Sequence, residues 1–148
     1  MGACYYCENG DKLRSLMLPI VDLGAASVYL FRDQIHKGKC IVVFNRAHKT
    51  EWFELTAQER REFSEAVAET AAALKNVFEP NKINYAIYGD LVSHFHMHVV
   101  PKYQGGPDWG APFQDNREPA VLTEEEYTHR IQLIRDAILT IHGKEAML

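Results

Sequence analysis

The sequence predicts an α+β fold, an antiparallel sheet with a long helix and a C-terminal helix packed on it. Three observations predict this. Short apolar runs of strand character come in pairs, each pair is followed by a long helical stretch, and both helical stretches open on a capping box. Runs of paired strands with helices added point to a layered α+β domain whose sheet is covered on one face.

The elements follow in order. The opening segment, to about Leu18, is polar and reads as irregular apart from Cys4-Tyr5-Tyr6-Cys7. Residues 27–32 (SVYLFR) alternate and carry β-branched and aromatic side chains, which suits a strand. Residues 33–38 (DQIHKG) form a turn, with Gly38 at its left-handed position. Residues 39–45 (KCIVVFN) are a continuous apolar run of strand length, expected to be buried on both faces, and Cys40 inside it reads as core.

A helix starts at Leu55-Thr56, where Thr56 and Glu59 fit a reciprocal capping box. Phe63, Val67, Leu74 and Val77 recur at helical spacing, the alanines between them favour helix, and Pro80 stops it. Residues 82–88 (KINYAIY) read as a strand, Gly89-Asp90 as a turn, and residues 92–103 as a further strand limited at Pro101. A Gly- and Pro-rich loop spans residues 105–116 and holds Trp109 and Phe113, unusual passengers for a solvated loop. Thr123 and Glu126 make the second capping box, opening a helix over about 123–142 with Ile131, Ile134 and Ile138 on one face.

The chain has 148 residues, 47% of them hydrophobic and 24% charged, as expected of one globular domain able to bury a core without staples. A net charge of −4 argues against a broad nucleic-acid surface but leaves room for a small anion at a local positive site. No apolar run is long enough to span a membrane, and no secretory signal is visible, so the expected location is cytoplasmic. Three cysteines, an odd count, argue against a disulfide framework.

The stretch from His94 to Val100 (HFHMHVV) is the most informative in the chain. Side chains alternate along a strand, so His94, His96 and His98 point one way while Phe95, Met97 and Val99 point to the core. Imidazole titrates near neutral pH and can act as nucleophile, acid, base or anion partner. A bland histidine-rich surface explains strict alternation poorly. Three ligands strung along one extended strand would strain a tetrahedral metal, so a divided row suits the spacing better than a shared ion.

His94 to Val100 matches, position by position, the His-φ-His-φ-His-φ-φ mark (φ apolar) of the histidine triad, or HIT, superfamily of nucleotide hydrolases and transferases. The chain resembles that family over about residues 4–105, and within it the bacterial proteins akin to diadenosine tetraphosphate hydrolases. The resemblance implies a HIT-like domain spanning residues 1–148. It further implies that His96 attacks the α-phosphorus of a nucleotide, adenine by preference, that a nucleotidyl-histidine forms, and that His98 bonds the phosphate oxygens. Asp33 would stand at the ribose hydroxyls, Asn84 and Gly89 near the substrate, and Lys39 near phosphate. Asp90 departs from the Gly-Asn usual in the family, and since a carboxylate repels phosphate, Asp90 either points away or alters substrate choice. The alternative is a non-enzymatic nucleotide sensor or interaction protein of the same fold.

Cys4-x-x-Cys7 has metal-ligand spacing, and no helical pattern follows it as a thioredoxin-like redox pair requires. In HIT proteins that open this way, the positions matching Cys4, Cys7, His48 and His94 hold a structural zinc, so the resemblance implies the same zinc here, with magnesium as the companion of a polyphosphate substrate. It also implies a homodimer, to which the alanine-rich stretch Ala66 to Ala73 could offer a close helix contact. His36, His129 and His142 are expected on the surface.

Overall fold

The computed structural model describes residues 4–115 and 117–145. Two short helices open it, α1 (Tyr5–Glu8) and α2 (Asp11–Leu16). Strands β1 (Met17–Leu23), β2 (Ala26–Phe31) and β3 (Cys40–Phe44) follow. A 3₁₀ turn (Trp52–Glu54) leads into the long helix α3 (Ala57–Phe78), then β4 (Lys82–Ala86), β5 (His96–Lys102) and α4 (Glu124–Glu145). The five strands form one sheet in the order β1-β2-β3-β5-β4, with every neighbouring pair antiparallel.

The α+β class and both helix starts stand as expected. Thr56 Oγ1 accepts from the Glu59 N–H while Glu59 accepts from the Thr56 N–H, and Thr123 and Glu126 repeat the exchange. Each exchange satisfies two donors that a helix start otherwise leaves orphaned. Gly38 sits at φ +91°. Its Cα faces the Phe78 ring so closely that a Cβ would lie 2.8 Å from a ring carbon.

The N-terminal reading needs correction. The opening segment, expected to be irregular to about Leu18, forms α1, α2 and the first residues of the edge strand β1. The strand signal of β1 is blunted by Pro19, which an edge tolerates; the pairing with β2 shifts register between Pro19 and Val21. The histidine strand is also shorter than predicted. It begins at His96, and His94 lies in the bend before it.

The sheet separates two cores. On one face Phe95, Met97 and Val99 pack with Phe63, Leu74, Ile134 and Ile138, burying α3 and α4 against the strands. Ala66, Ala71 and Ala73 are buried in this same core, so much of the alanine stretch serves packing within the chain. On the other face Met17, Ile41 and Val43 meet Tyr6 and Leu13 from the two opening helices. That second face carries the histidines: Val43 stands opposite His96 and Ile41 opposite His98. No helix among the described residues is long and apolar enough to cross a membrane.

Candidate active site and metal centre

The row of three imidazoles is divided. His94 Nε2–H donates to the Phe44 carbonyl at 2.6 Å. That bond fixes the tautomer and turns Nδ1 toward the cysteines, 3.4 Å from Cys4 Sγ and 3.4 Å from Cys7 Sγ. His48 Nδ1 also lies 3.4 Å from Cys7 Sγ. The four ligand atoms of Cys4, Cys7, His48 and His94 all fall within 4.8 Å of one another. Tetrahedral zinc bonds of about 2.3 Å to sulfur and about 2.0–2.1 Å to nitrogen place S and N roughly 3.5 Å apart, so the donor set fits zinc in both chemistry and spacing. The Phe44 carbonyl supplies the outer hydrogen bond that ligating histidines usually make.

His96 belongs to a different environment. Its Nδ1–H donates to the His94 carbonyl at 2.6 Å, which leaves Nε2 with the lone pair. Its ring packs beside that of Tyr6, with centroids 5.2 Å apart, and beside His98, also 5.2 Å away. Burial lowers the pKa of His96, against the pull of the His94 carbonyl, so the imidazole is neutral and nucleophilic at neutral pH. His98 is pushed down to about 3, first by burial and then by the charge of Lys39 and by His96. Its Nδ1 is buried with no hydrogen-bond partner among the described residues.

Both rings open on a cleft of about 450 Å³ lined by Tyr5, Tyr6, Tyr88, Gly89, Asp90 and Phe113, among others. The structure therefore brings Gly89 to His96 and His98, with Gly89 at φ +93° in the loop before β5. Lys39 is close by but is not free. It is 1% exposed, its Nζ donates to Asp115 Oδ1 at 2.7 Å, and it lies between the rings of Phe31 and Phe113. Burial lowers its pKa, opposed by Asp115.

Two predicted substrate residues are not brought to this cleft. Asp33 Oδ1 accepts from the N–H groups of Ile35 and Ala120, at 3.1 and 2.9 Å, and so ties the segment before α4 to the β2–β3 turn. Asn84 shares the sheet face of the histidines but stands opposite Val100, in a neighbouring cleft.

His36 corrects the expectation of an exposed turn residue. It is 1% exposed, and its Nε2 lies 2.9 Å from Asp108 Oδ2. Asp108 also accepts from the Gln114 N–H at 3.0 Å and from Arg117. This knot holds the loop after β5 against the site. Phe113 consequently reaches His98, with ring centroids 5.5 Å apart, and Tyr88 reaches the same imidazole at 5.5 Å. His129 and His142 are exposed, as expected, with His142 Nδ1 2.9 Å from Glu69.

Tyr5, Tyr6, Tyr88 and Asp115 were not singled out by sequence reasoning. The signal for the first two was their place between Cys4 and Cys7: once those thiols converge on His94, the two residues between them are carried to its neighbour His96. Phe113 had a signal of its own, an aromatic in a loop too polar to need one.

Comparison with known proteins agrees with this architecture. Protein hit of Bacillus subtilis is 29% identical over 110 residues, covering 66% of this chain and 75% of that protein. The crystal structure of a histidine triad protein from Sinorhizobium meliloti matches with a TM-score of 0.80 at 28% identity, covering 86% of this chain and 94% of that one. A zinc-bound histidine triad family protein from Mycobacterium smegmatis shares the fold, with a TM-score of 0.67 at 19% identity over 96% of this chain and 97% of that one. Residues 25–105 match the HIT domain, and with more than half its length inside that match and its three histidines at the triad positions, the chain belongs to the HIT domain family.

Proposed function

We propose that the protein is a nucleotide hydrolase or nucleotidyl transferase that works at the α-phosphate of an adenine nucleotide through a covalent histidine intermediate. The observation that carries this reading is the bond from His96 Nδ1–H to the His94 carbonyl. It commits Nε2, the other ring nitrogen, to the role of nucleophile. In the first step the Nε2 lone pair forms an N–P bond as the bond from phosphorus to the leaving group breaks, and the leaving group departs with that electron pair. In the second step water attacks phosphorus, loses a proton, and the N–P bond breaks to release a nucleoside monophosphate and restore the imidazole. Splitting one displacement into two easier ones is the usual gain of covalent catalysis.

His98 is the phosphate partner in this reading. A neutral imidazole offers one N–H to a phosphate oxygen and stabilises charge that grows in the transition state. Cys4, Cys7, His48 and His94 would hold a structural zinc, which would tie the N-terminal helices to the histidine two residues before the nucleophile. Asp90 would offer an oxygen donor from the cleft wall to a magnesium ion arriving with polyphosphate, whereas Asp115 is paired with Lys39. A cytoplasmic homodimer is the expected form.

The test is a substrate panel of diadenosine polyphosphates, adenosine phosphoramidates and nucleotide esters, run with the native protein and His96→Asn. Turnover is expected to fall at least about a thousandfold in the variant while AMP binding persists. Retained turnover would overturn the assignment. AMP binding with no turnover of any substrate by the native protein would favour the sensor reading instead.

A further inference from the structure

Cys4 and Cys7 stand one helical turn apart. Cys4 is the N-cap of α1, and the Glu8 N–H donates to its carbonyl at 3.0 Å, closing the turn around the pair. The helix is only four residues long and ends at Asn9, whose backbone is left-handed. Side chains three apart on a helix have Cβ atoms about 5–6 Å apart, and a disulfide needs about 3.5–4.5 Å. The two sulfurs already lie within 4.8 Å of each other. A shift of one short helical turn therefore suffices to join them.

The three cysteines differ in access. Cys40 is buried in β3, Cys4 is half-buried and Cys7 is exposed. Cys7, His48 and His94 line a cleft of about 610 Å³, and Tyr6 lines both this cleft and the triad cleft. A small oxidant that enters there meets Cys7 first. Any movement of the pair is felt at the triad, because Tyr6 lies between the two cysteines and packs on the rings of His94 and His96.

We propose that Cys4 and Cys7 are an oxidation site, at which a peroxide joins them in a disulfide that empties the metal centre and disables the triad. The part concerning metal rests on the reading of Cys4, Cys7, His48 and His94 as zinc ligands. The Cys7 thiolate attacks one peroxide oxygen, the O–O bond breaks, and the departing hydroxide takes a proton to become water. Cys7 is then a sulfenic acid. The Cys4 thiolate attacks that sulfur, the S–S bond forms, the S–O bond breaks, and a second hydroxide leaves as water with a second proton. Each sulfur gives up one electron, and the peroxide takes both. As thiolates the pair brings two negative charges to a divalent cation. As a disulfide it brings none, and only the two neutral imidazoles of His48 and His94 are left to hold the ion.

The test treats the native protein with hydrogen peroxide and then with a dithiol. The intact mass, read under denaturing conditions, is expected to fall by about 2 Da and to return on reduction. Peptide mapping should place the cross-link between residues 4 and 7 and leave Cys40 as a thiol. A chromogenic chelator should report one zinc released per disulfide formed. AMP affinity should fall about tenfold on oxidation and recover with dithiol and zinc. Peroxide should leave the AMP affinity of Cys7→Ser, which keeps His96 and His98, where it stood before treatment. No cross-link between residues 4 and 7, oxidation taken at Cys40 instead, or AMP affinity unmoved by complete cross-linking would overturn the proposal. The zinc content of the untreated protein tests the metal reading by itself. If none is held, that reading fails, and a disulfide that still forms and still lowers AMP affinity supports the oxidation site. If the native protein binds no AMP, the proposed chemistry fails separately, and the thermal midpoint replaces it as the readout: a reversible drop on cross-linking supports the site and an unchanged midpoint rejects it.

Discussion

The carbonyl of His94 accepts the Nδ1–H of His96 at 2.6 Å, so the residue whose ring faces the thiols also sets the tautomer of the residue whose ring faces the cleft. Removing a zinc ion held by Cys4, Cys7, His48 and His94 would free the His94 ring and, through it, that carbonyl. Chelation, or Cys7→Ser, is therefore expected to lower stability by about 2 kcal/mol or more, roughly 4–8 °C in Tm for a domain of this size. Turnover should fall in parallel. Zinc content by mass spectrometry alongside a thermal melt checks this, and an unchanged melt after complete removal of zinc would contradict it.

Tyr6 packs on both imidazoles, 5.4 Å from the His94 ring and 5.2 Å from that of His96. Tyr6→Ala should cost about 3 kcal/mol through the void it leaves, and should also raise KM by loosening the wall of the cleft. Tyr6→Phe keeps the ring and should stay within about 1 kcal/mol of the native protein. Urea titrations of the two variants separate packing from any role of the hydroxyl.

Acid is expected to destabilise the fold through His36 and Asp108. Burial lowers the pKa of His36, outweighing the pull of Asp108, while Lys39 and Lys102 add to the lowering. The unfolded chain thus takes up that proton first as pH falls below about 6.5, and the stability present above that pH is lost on acidification. Asp108 has the same sign. Burial pushes its carboxyl up, but the Gln114 N–H, Arg117 and His36 hold it below the usual carboxylate range. Its contribution is present above about pH 4 and lost as pH falls through the lower folded value. Denaturation midpoints at pH 7.5, 5.5 and 4 should decline in that order, and His36→Gln should flatten the first step. A flat profile would contradict the assignment of a buried neutral His36.

Gly38→Ala tests a close approach rather than a polar contact. The residue is left-handed, and the added methyl meets Phe78 at 2.8 Å and Pro101 at 3.3 Å. A loss of about 1–3 kcal/mol is expected by chemical denaturation, because strain and overlap act together.

What the sequence made legible is what repeats locally. Alternation placed Phe95, Met97 and Val99 in the core, and capping boxes placed Thr56 and Thr123 at helix starts. Cys4 and Cys7 were legible by their spacing, whereas His48 and His94 joined them only through resemblance, since nothing local ties His48 to Cys7. Edge strand β1 was hidden by Pro19, whose missing donor is harmless only because one side of that strand is unpaired. The burial of His36 and the second tie of Asp33 were missed for a common reason. Their partners, Ala120 and Asp108, lie far along the chain, and a turn whose polar groups are satisfied from a distance looks, in one dimension, like a turn open to solvent.

The pairing of Val43 with His96 has a kinetic consequence. Between these neighbours in the sheet the chain must first lay down all of α3 and β4, so His96 gains its floor only when the least local contact in the sheet closes. Non-local pairings of this kind form slowly. On dilution from denaturant, helical signal should thus return before the protein can hold a nucleotide, and competence at His96 should appear with the last folding phase.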